Sequence, residues 1–271
     1  MSKGITITPL YSGSSGNAIL MSSEQTHVLV DAGMSCKKLV EALNAVRINP
    51  FDLNAILITH DHSDHISALD VFTRKFNIPI YATGATWRGI HAAEKKPHSP
   101  HLDNEIIPGT KTPIGDFEVL AFDTPHDAQG SCGYRFESEG HVAAIATDIG
   151  VMTPVIFEQL RGCEGILLEA NYDNDMLWNG AYPYYLKKRI AGEGGHLCNE
   201  DCASTIVKLC KSGTKHFILG HLSVENNLPQ VAERAVLLAM ETEKLVRDVD
   251  YTLRIANRYT PTAPLWLGDP Q

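Results

Sequence analysis

Short apolar runs rich in β-branched residues alternate along this chain with stretches whose apolar positions recur at helical spacing. The runs predict strands at residues 5–10, 19–21, 27–31, 54–59, 78–82 and 117–122. Further strands are predicted at 133–136 and 141–146, a hairpin around Glu139-Gly140, and at 165–168, 215–220 and 251–257. Helical spacing, as in Leu39, Val40, Leu43 and Val46, predicts helices at 35–46, from Ile66 onward, and at 85–93 and 230–243. A helical segment also begins near Tyr182-Pro183, and another opens at 194–201 with Asn199 as its cap. Residues 94–112 read as an exposed connection, with His98 and His101 facing solvent. Strands alternating with helices define an α/β protein.

One predicted strand runs into Thr59-His60-Asp61-His62-Ser63-Asp64-His65, three imidazoles and two carboxylates in a single turn. Crowded groups of that kind are hard to accommodate unless something binds them, and a pair of metal ions is the binder that fits. His60 and His62 lie two apart on extended backbone, so their rings point the same way and hold one ion. The chain then turns into a helix, and Asp64 and His65 at the corner aim at a second ion beside it. Imidazole with carboxylate suits Mn, Zn or Fe.

Other strand ends supply the missing ligands. The 117–122 strand leads to Asp123-Thr124-Pro125-His126, where Pro fixes the turn; His126 is the third ligand of the first ion. The 141–146 strand ends in Thr147-Asp148-Ile149-Gly150, and Asp148 is placed to bridge both ions. The 215–220 strand ends at His221, which completes the second. Asp31 ends the third strand and either orients a ligand histidine or is simply a turn acid. The cluster from Glu169 to Asp173 follows an apolar run and supports the site from behind. Ser12-Gly13-Ser14-Ser15-Gly16-Asn17 is a tight turn, either a plain hairpin loop or a set of donors near a ligand. His196, on a Gly-Gly turn, is placed to contact phosphate. Lys187, Lys188 and Arg189 form a basic patch, a solvated helix face by default.

Composition changes this picture little. The 271 residues are 44% hydrophobic, enough for a sizeable core, and are read as one domain at 1–258 with a loosely held, proline-containing tail at 259–271. A formal net charge of −9 argues against a generally basic nucleic-acid coat protein, yet permits an enzyme that meets phosphate through metal ions. The first ten residues lack a signal-peptide core, and no run is long enough to span a membrane. Six scattered cysteines show no zinc-knuckle spacing; Cys198 and Cys202 read as small buried thiols, and the whole as a reduced, cytoplasmic protein.

The order H-x-H-x-D-H, lone His, Asp, then His after a core strand resembles the metallo-β-lactamase superfamily over nearly the whole chain. That resemblance implies a four-layer αββα sandwich with two divalent ions at the strand ends. The Ser12–Asn17 loop, Thr124-Pro125-His126-Asp127-Ala128, Leu168-Glu169-Ala170-Asn171, 195–201 and 219–227 are similar, more narrowly, to the WalJ (YycJ) branch. Proteins of that branch are cytosolic 5′-to-3′ exonucleases on double-stranded DNA, often using Mn. The resemblance thus implies a duplex-DNA substrate and no organic cofactor. It makes Asp64 and His196 the candidate catalytic residues, and Ser12, Ser14, Ser15, Asn17 and His196 the candidate substrate contacts, with Lys187, Lys188 and Arg189 tracking the DNA backbone. Cys198 departs from the serine usual there. Two rivals share the fold: a thioester or lactone hydrolase of the glyoxalase II type, and a non-catalytic metal-dependent regulator. A flavo-diiron oxidoreductase would carry Glu in place of His62.

Overall fold

The computed structural model describes residues 4–93 and 100–268. Its strands are β1 (Gly4–Tyr11), β2 (Ala18–Ser22), β3 (His27–Val30), β4 (Ala55–Leu57), β5 (Ile80–Ala82), β6 (Asp103–Glu105) and β7 (Lys111–Ile114). They continue as β8 (Phe117–Asp123), β9 (Cys132–Ser138), β10 (His141–Ala146), β11 (Gly165–Glu169), β12 (His216–Gly220), β13 (Thr252–Ile255) and β14 (Leu265–Gly268). The helices are α1 (Cys36–Ala45), α2 (Ser63–Ile66), α3 (Leu69–Phe76), α4 (Gly84–Ala93) and α5 (Pro154–Leu160), then α6 (Asn174–Asn179), α7 (Tyr184–Ile190), α8 (Asn199–Lys211) and α9 (Pro229–Thr242).

Two seven-stranded sheets form, in the orders β14-β1-β2-β3-β4-β5-β6 and β13-β12-β11-β10-β9-β8-β7. Strand alternation divides the apolar residues between layers. Val28 and Val30 of β3 and Leu167 of β11 face the space between the sheets, with Ile5, Ile7, Tyr134, Phe136 and Ile218. Leu29 faces outward to Leu39, Leu43 and Phe72 of α1 and α3. Ile166 and Leu168 face outward to Ile206 of α8 and Val236 of α9. The four-layer αββα sandwich expected from the sequence is therefore present.

Each sheet is part parallel: β3 to β6 in one, β10 to β13 in the other. The antiparallel partners restore direction every second strand, so β1 runs with β3, and β8 with β10. Seven carboxyl ends, those of β1, β3, β4, β8, β10, β11 and β12, thereby meet at one rim, where open α/β sheets bind ligands.

Several local expectations change. The helix from Ile66 is two pieces, α2 and α3. The connection expected at 94–112 holds β6 and the first residues of β7; both strands are sheet edges, and Pro113 sits in β7 because an edge strand need not donate there. His98 lies outside the described residues, while His101 is exposed beside Asn77. Helices α5 and α6 escaped the pattern, being only seven and six residues long. Residues 265–268, expected in a loose tail, pair with β1 as β14. Among the described residues, no helix is long and apolar enough to cross a membrane.

Candidate metal centre

At the rim, the turn after β4 carries His60, then His62 on extended backbone as the residue before α2, and Asp64 and His65 inside its single turn. His60 and His65 are fully buried. The other acid of this turn, Asp61, lies against Gly89 of α4 and away from the cluster. His126 arrives from the end of β8, with ring centroids 4.9 Å from His60 and 5.1 Å from His62. Its Nε2 is 3.3 Å from His62 Nδ1. His221 arrives from β12, 5.6 Å from His65 between ring centroids. Four overlapping groups result, each with ligand atoms within 4.8 Å of one another: His60/His62/His126 and Asp64/His65/His221, and, sharing Asp148, His60/His65/Asp148 and Asp148/Glu169/His196/His221. Asp148 lies between the first two, its Oδ1 3.7 Å from His126 Nε2 and its Oδ2 3.5 Å from His65 Nε2.

Behind these groups, hydrogen bonds fix the rings. His65 Nδ1 donates to Asp31 Oδ2 at 2.8 Å, and Asp31 Oδ1 accepts the Thr59 N–H at 2.8 Å. Of the two roles open to Asp31, orienting a histidine is the one its contacts match. His126 Nδ1 donates to the Gly195 carbonyl at 2.9 Å. Glu169 Oε1 accepts from His221 Nδ1 at 2.7 Å and from His196 Nδ1 at 2.9 Å, while Oε2 takes the N–H groups of Ile149 and Leu197. With Nδ1 engaged, His65, His126 and His221 turn Nε2 inward.

Three buried atoms in this cluster have no hydrogen-bond partner: His60 Nε2, His221 Nε2 and Asp148 Oδ2. Each such orphan costs about 1–3 kcal/mol, and cations between the two groups would satisfy all three. The donor set of imidazole and carboxylate fits divalent transition ions. The metal pair implied by the sequence therefore fits these residues.

Electrostatics agree. Burial, reinforced by the surrounding imidazoles, pushes His60 well below the ordinary histidine range, so it stays neutral, as a ligand must. Burial likewise lowers His126. Burial would lower His65 too, but Asp31 and Asp148 outweigh it and lift the ring to about 9. His221 also rises against burial, through Asp148, Asp64 and Glu169. Burial would raise the carboxyl groups of Asp64 and Glu169, but hydrogen bonds and charges from the facing imidazoles hold both far below the usual range. The pocket is built for positive charge.

Backbone strain gathers here as well. Asp31, Asp148 and His221 adopt left-handed φ values of 64°, 58° and 55°. Such residues cost of order 1–3 kcal/mol each and cluster at functional sites. His221 is pinned by its own N–H, which donates to Ser12 Oγ at 2.8 Å. Gly33 brings the loops together: a Cβ there would lie 1.7 Å from the Asp64 carbonyl oxygen and 2.6 Å from Asn17 N.

A cleft of ≈ 240 Å³ opens onto the centre, walled by Ser14, His62, Asp64, Tyr182, Arg189 and His196 among others. Of the serine-glycine loop, only Ser14 lines it. Ser12 and Asn17 are buried, Asn17 with Nδ2 3.1 Å from His65 Nε2, and Ser15 is exposed outside the lining. Lys187 does not belong to a solvated basic face: it is buried, and its ammonium donates to the Trp178 and Gly180 carbonyls. Helix α8 is capped by Cys198 Sγ, which accepts from Asp201 N, so the thiol performs the capping expected of Asn199. Sequence reasoning missed Thr59, Tyr182 and Asp127, whose carboxylate lies 3.4 Å from His126 Nε2 and pairs with Arg189. The place of Asp127, directly after a strand-end histidine, was the available signal.

Residues 26–222 match the family model described as Beta-lactamase superfamily domain, a span containing every residue of both groups. The chain is 35% identical to "Exodeoxyribonuclease YycJ" of Bacillus anthracis over 88% of its length and 90% of the relative's. It is also 35% identical to "Exodeoxyribonuclease WalJ" of Streptococcus pneumoniae, over 92% of this chain and 93% of that protein. Among solved structures, the metallo-beta-lactamase fold protein YhfI of Bacillus subtilis superimposes with a TM-score of 0.71 at 15% identity, covering 96% of this chain and 99% of that one; this likeness speaks for the fold. The chain belongs to the metallo-β-lactamase superfamily, among the relatives of the YycJ and WalJ proteins.

Proposed function

We propose that this protein is a dinuclear-metal phosphodiesterase acting as a 5′-to-3′ exonuclease on double-stranded DNA. One observation carries the reading: Asp148 stands within reach of two histidine-rich groups that hold orphaned, buried ligand atoms, and Asp148 and His221 line the cleft that opens onto them. His60, His62 and His126 would hold one ion, Asp64, His65 and His221 the other, with Asp148 common to both. When bound, such a pair supplies Lewis-acid polarisation of a phosphoryl oxygen and a water that ionises near neutral pH.

The chain's own residues supply orientation and substrate contact. Asp31, Gly195 and Glu169 hold the imidazoles in one tautomer, leaving Nε2 free. His196 gives Nδ1–H to Glu169 and, when protonated, offers Nε2–H to a phosphate oxygen in the cleft. Ser14 and Arg189 stand on the same walls, so a phosphodiester there meets a hydroxyl and a guanidinium. Asp64 lines the cleft together with Asp148, so its carboxylate would stand beside a bound phosphodiester. All six cysteines are free thiols, in keeping with a reducing cytoplasm.

The reading is supported by the names of the two 35%-identical relatives, which share nearly the full length. Its test is end-labelled duplex DNA, bearing 5′-phosphate or 5′-hydroxyl, incubated with the protein and Mn or Zn. The expected outcome is metal-dependent shortening from the 5′ end, abolished by His62→Ala. Turnover of a thioester with no action on DNA would overturn it in favour of the glyoxalase II-type chemistry.

A further inference from the structure

Beside the cleft, α6, α7 and the turn between them hold an unusual concentration of exposed aromatic rings. Trp178, Tyr184 and Tyr185 are 42%, 66% and 75% exposed. Large rings left in water together mark a binding surface. Trp178 and Tyr184 stand 6.2 Å apart between centroids, and Lys188 Nζ lies 5.3 Å from the Tyr184 ring centre. The rings are held by a buried strut: Lys187 ties the carbonyls of Trp178 and Gly180 to α7 at 2.8 and 2.7 Å.

The ridge is continuous with the cleft. Tyr185 and Arg189 are four apart on α7, on one face of the helix, and Arg189 is a cleft wall, as is Tyr182 in the turn before it. Aromatic faces interleaved with cations are the surface that binds single-stranded nucleic acid, bases on rings and phosphates on ammonium or guanidinium groups. The cleft itself is ≈ 240 Å³, below the usual range for drug-sized ligands. A strand end that enters this cleft apart from its partner would leave its bases unpaired beside α6 and α7. Unstacked bases then need new stacking partners.

We propose that Trp178, Tyr184 and Tyr185 form a stacking platform for the unpaired bases of the DNA strand entering the cleft, with Lys188 on its phosphates. This rests on the nuclease reading above and adds how the strand end is held. The platform lies outside the metal-ligating groups, and its rings are solvent-facing, so substituting them leaves the fold and the ions in place.

The test compares binding of the metal-free protein to an oligothymidylate and to an abasic strand of equal length, read by anisotropy. Wild type is expected to favour the base-bearing strand by about 10-fold or more, the scale of a stacked base. Trp178→Ala and Tyr185→Ala should erase most of that preference, and Tyr185→Phe should restore it. With Mn, the alanine variants should show a raised KM and a near-normal kcat on DNA, and unchanged hydrolysis of the abasic strand, which has no base to stack. Equal binding of the two strands by wild type, or alanine variants that match wild type, overturns the platform. Absence of any phosphodiester hydrolysis by the metal-loaded wild type would instead overturn the nuclease reading, which the binding comparison does not depend on.

Discussion

Asp148 Oδ2 lies 3.5 Å from His65 Nε2, and the other oxygen of the same carboxylate faces His126 at 3.7 Å. One side chain therefore serves two groups of ligands, each drawn from strand ends of both sheets. Its left-handed backbone aims it there, a conformation that Asn also tolerates. Asp148→Asn should keep the fold and the backbone turn while removing the shared negative charge. Metal content is expected to fall from two ions per chain to one or fewer, and diester hydrolysis by more than about 100-fold, since a carboxylate that would serve both ions should matter more than the outer partners whose loss costs about 10–100-fold. Elemental analysis and circular dichroism on the same sample check both halves. A variant retaining two ions and full activity would remove Asp148 from the centre.

Asp31 touches no open space, yet it holds His65 through Nδ1 and Thr59 through its N–H and hydroxyl. Asp31→Ala should weaken metal affinity by about 10–100-fold, the range for lost ligand-orienting partners. High metal concentration should recover much of the activity, because the ligands themselves remain. Titration with a chelator-buffered metal series reads the shift. The same substitution should bring His65 down from about 9, because Asp31 is the largest carboxylate influence on it.

Much of the centre was legible beforehand, and the reason is physical. Metal ligands at strand ends are local features: an apolar run, then His or Asp at the point where the chain leaves the sheet. His60, His62, Asp64, His65, His126, Asp148 and His221 all carried that mark, and the fold brings them into one cluster of overlapping groups. What stayed hidden depends on packing between distant segments. Nothing near Lys187 announces that its ammonium will be buried under two carbonyls, because those carbonyls belong to the end of α6 and the following turn. Ser12 looked like a ligand contact, but its hydroxyl meets the N–H of His221, 209 residues away. Edge strands β6 and β7 lack the apolar alternation of inner strands because one side of each has no partner strand.

Metal loading should be coupled to protons. In the metal-free protein, His65 titrates at about 9 and carries a proton below that. A cation binding through Nε2 displaces it, so binding should release protons, and apparent affinity should rise about tenfold per pH unit for each proton displaced, levelling off near pH 9. The stability sign follows from the same shift. A histidine raised in the folded state stabilises the metal-free fold fully below its unfolded value of about 6.5, and that contribution is lost as pH climbs through about 9. The metal-free Tm should therefore fall on the alkaline side while the loaded protein holds its own. Calorimetry in buffers of differing ionisation enthalpy measures the proton count. Zero proton release at pH 7 would contradict a protonated His65.

The meeting of three loops at Gly33 gives the sharpest mechanical test. Asn17 N donates to the Asp64 carbonyl, and Gly33 N donates to the Asn17 carbonyl, each at 2.8 Å. These bonds lock the loop after β1, the turn after β3 and the start of α2 into one unit. A methyl group at Gly33 would sit 1.7 Å from the Asp64 carbonyl oxygen, a backbone atom with no rotamer to yield. Gly33→Ala must therefore move the turn carrying Asp64 and His65, or the loop carrying Ser12 and Asn17. The stability loss should be about 1–3 kcal/mol, typical of inserting a methylene into packed space. Affinity should fall most for the ion assigned to Asp64, His65 and His221, since the clash is with Asp64 itself, and less for the one assigned to His60, His62 and His126, of which His126 comes from the separate end of β8. A mixed-metal titration that resolves the two binding steps separates these outcomes. Equal weakening of both steps would mean that the centre deforms as a whole, and would place the joint between the two groups at Asp148 rather than at Gly33.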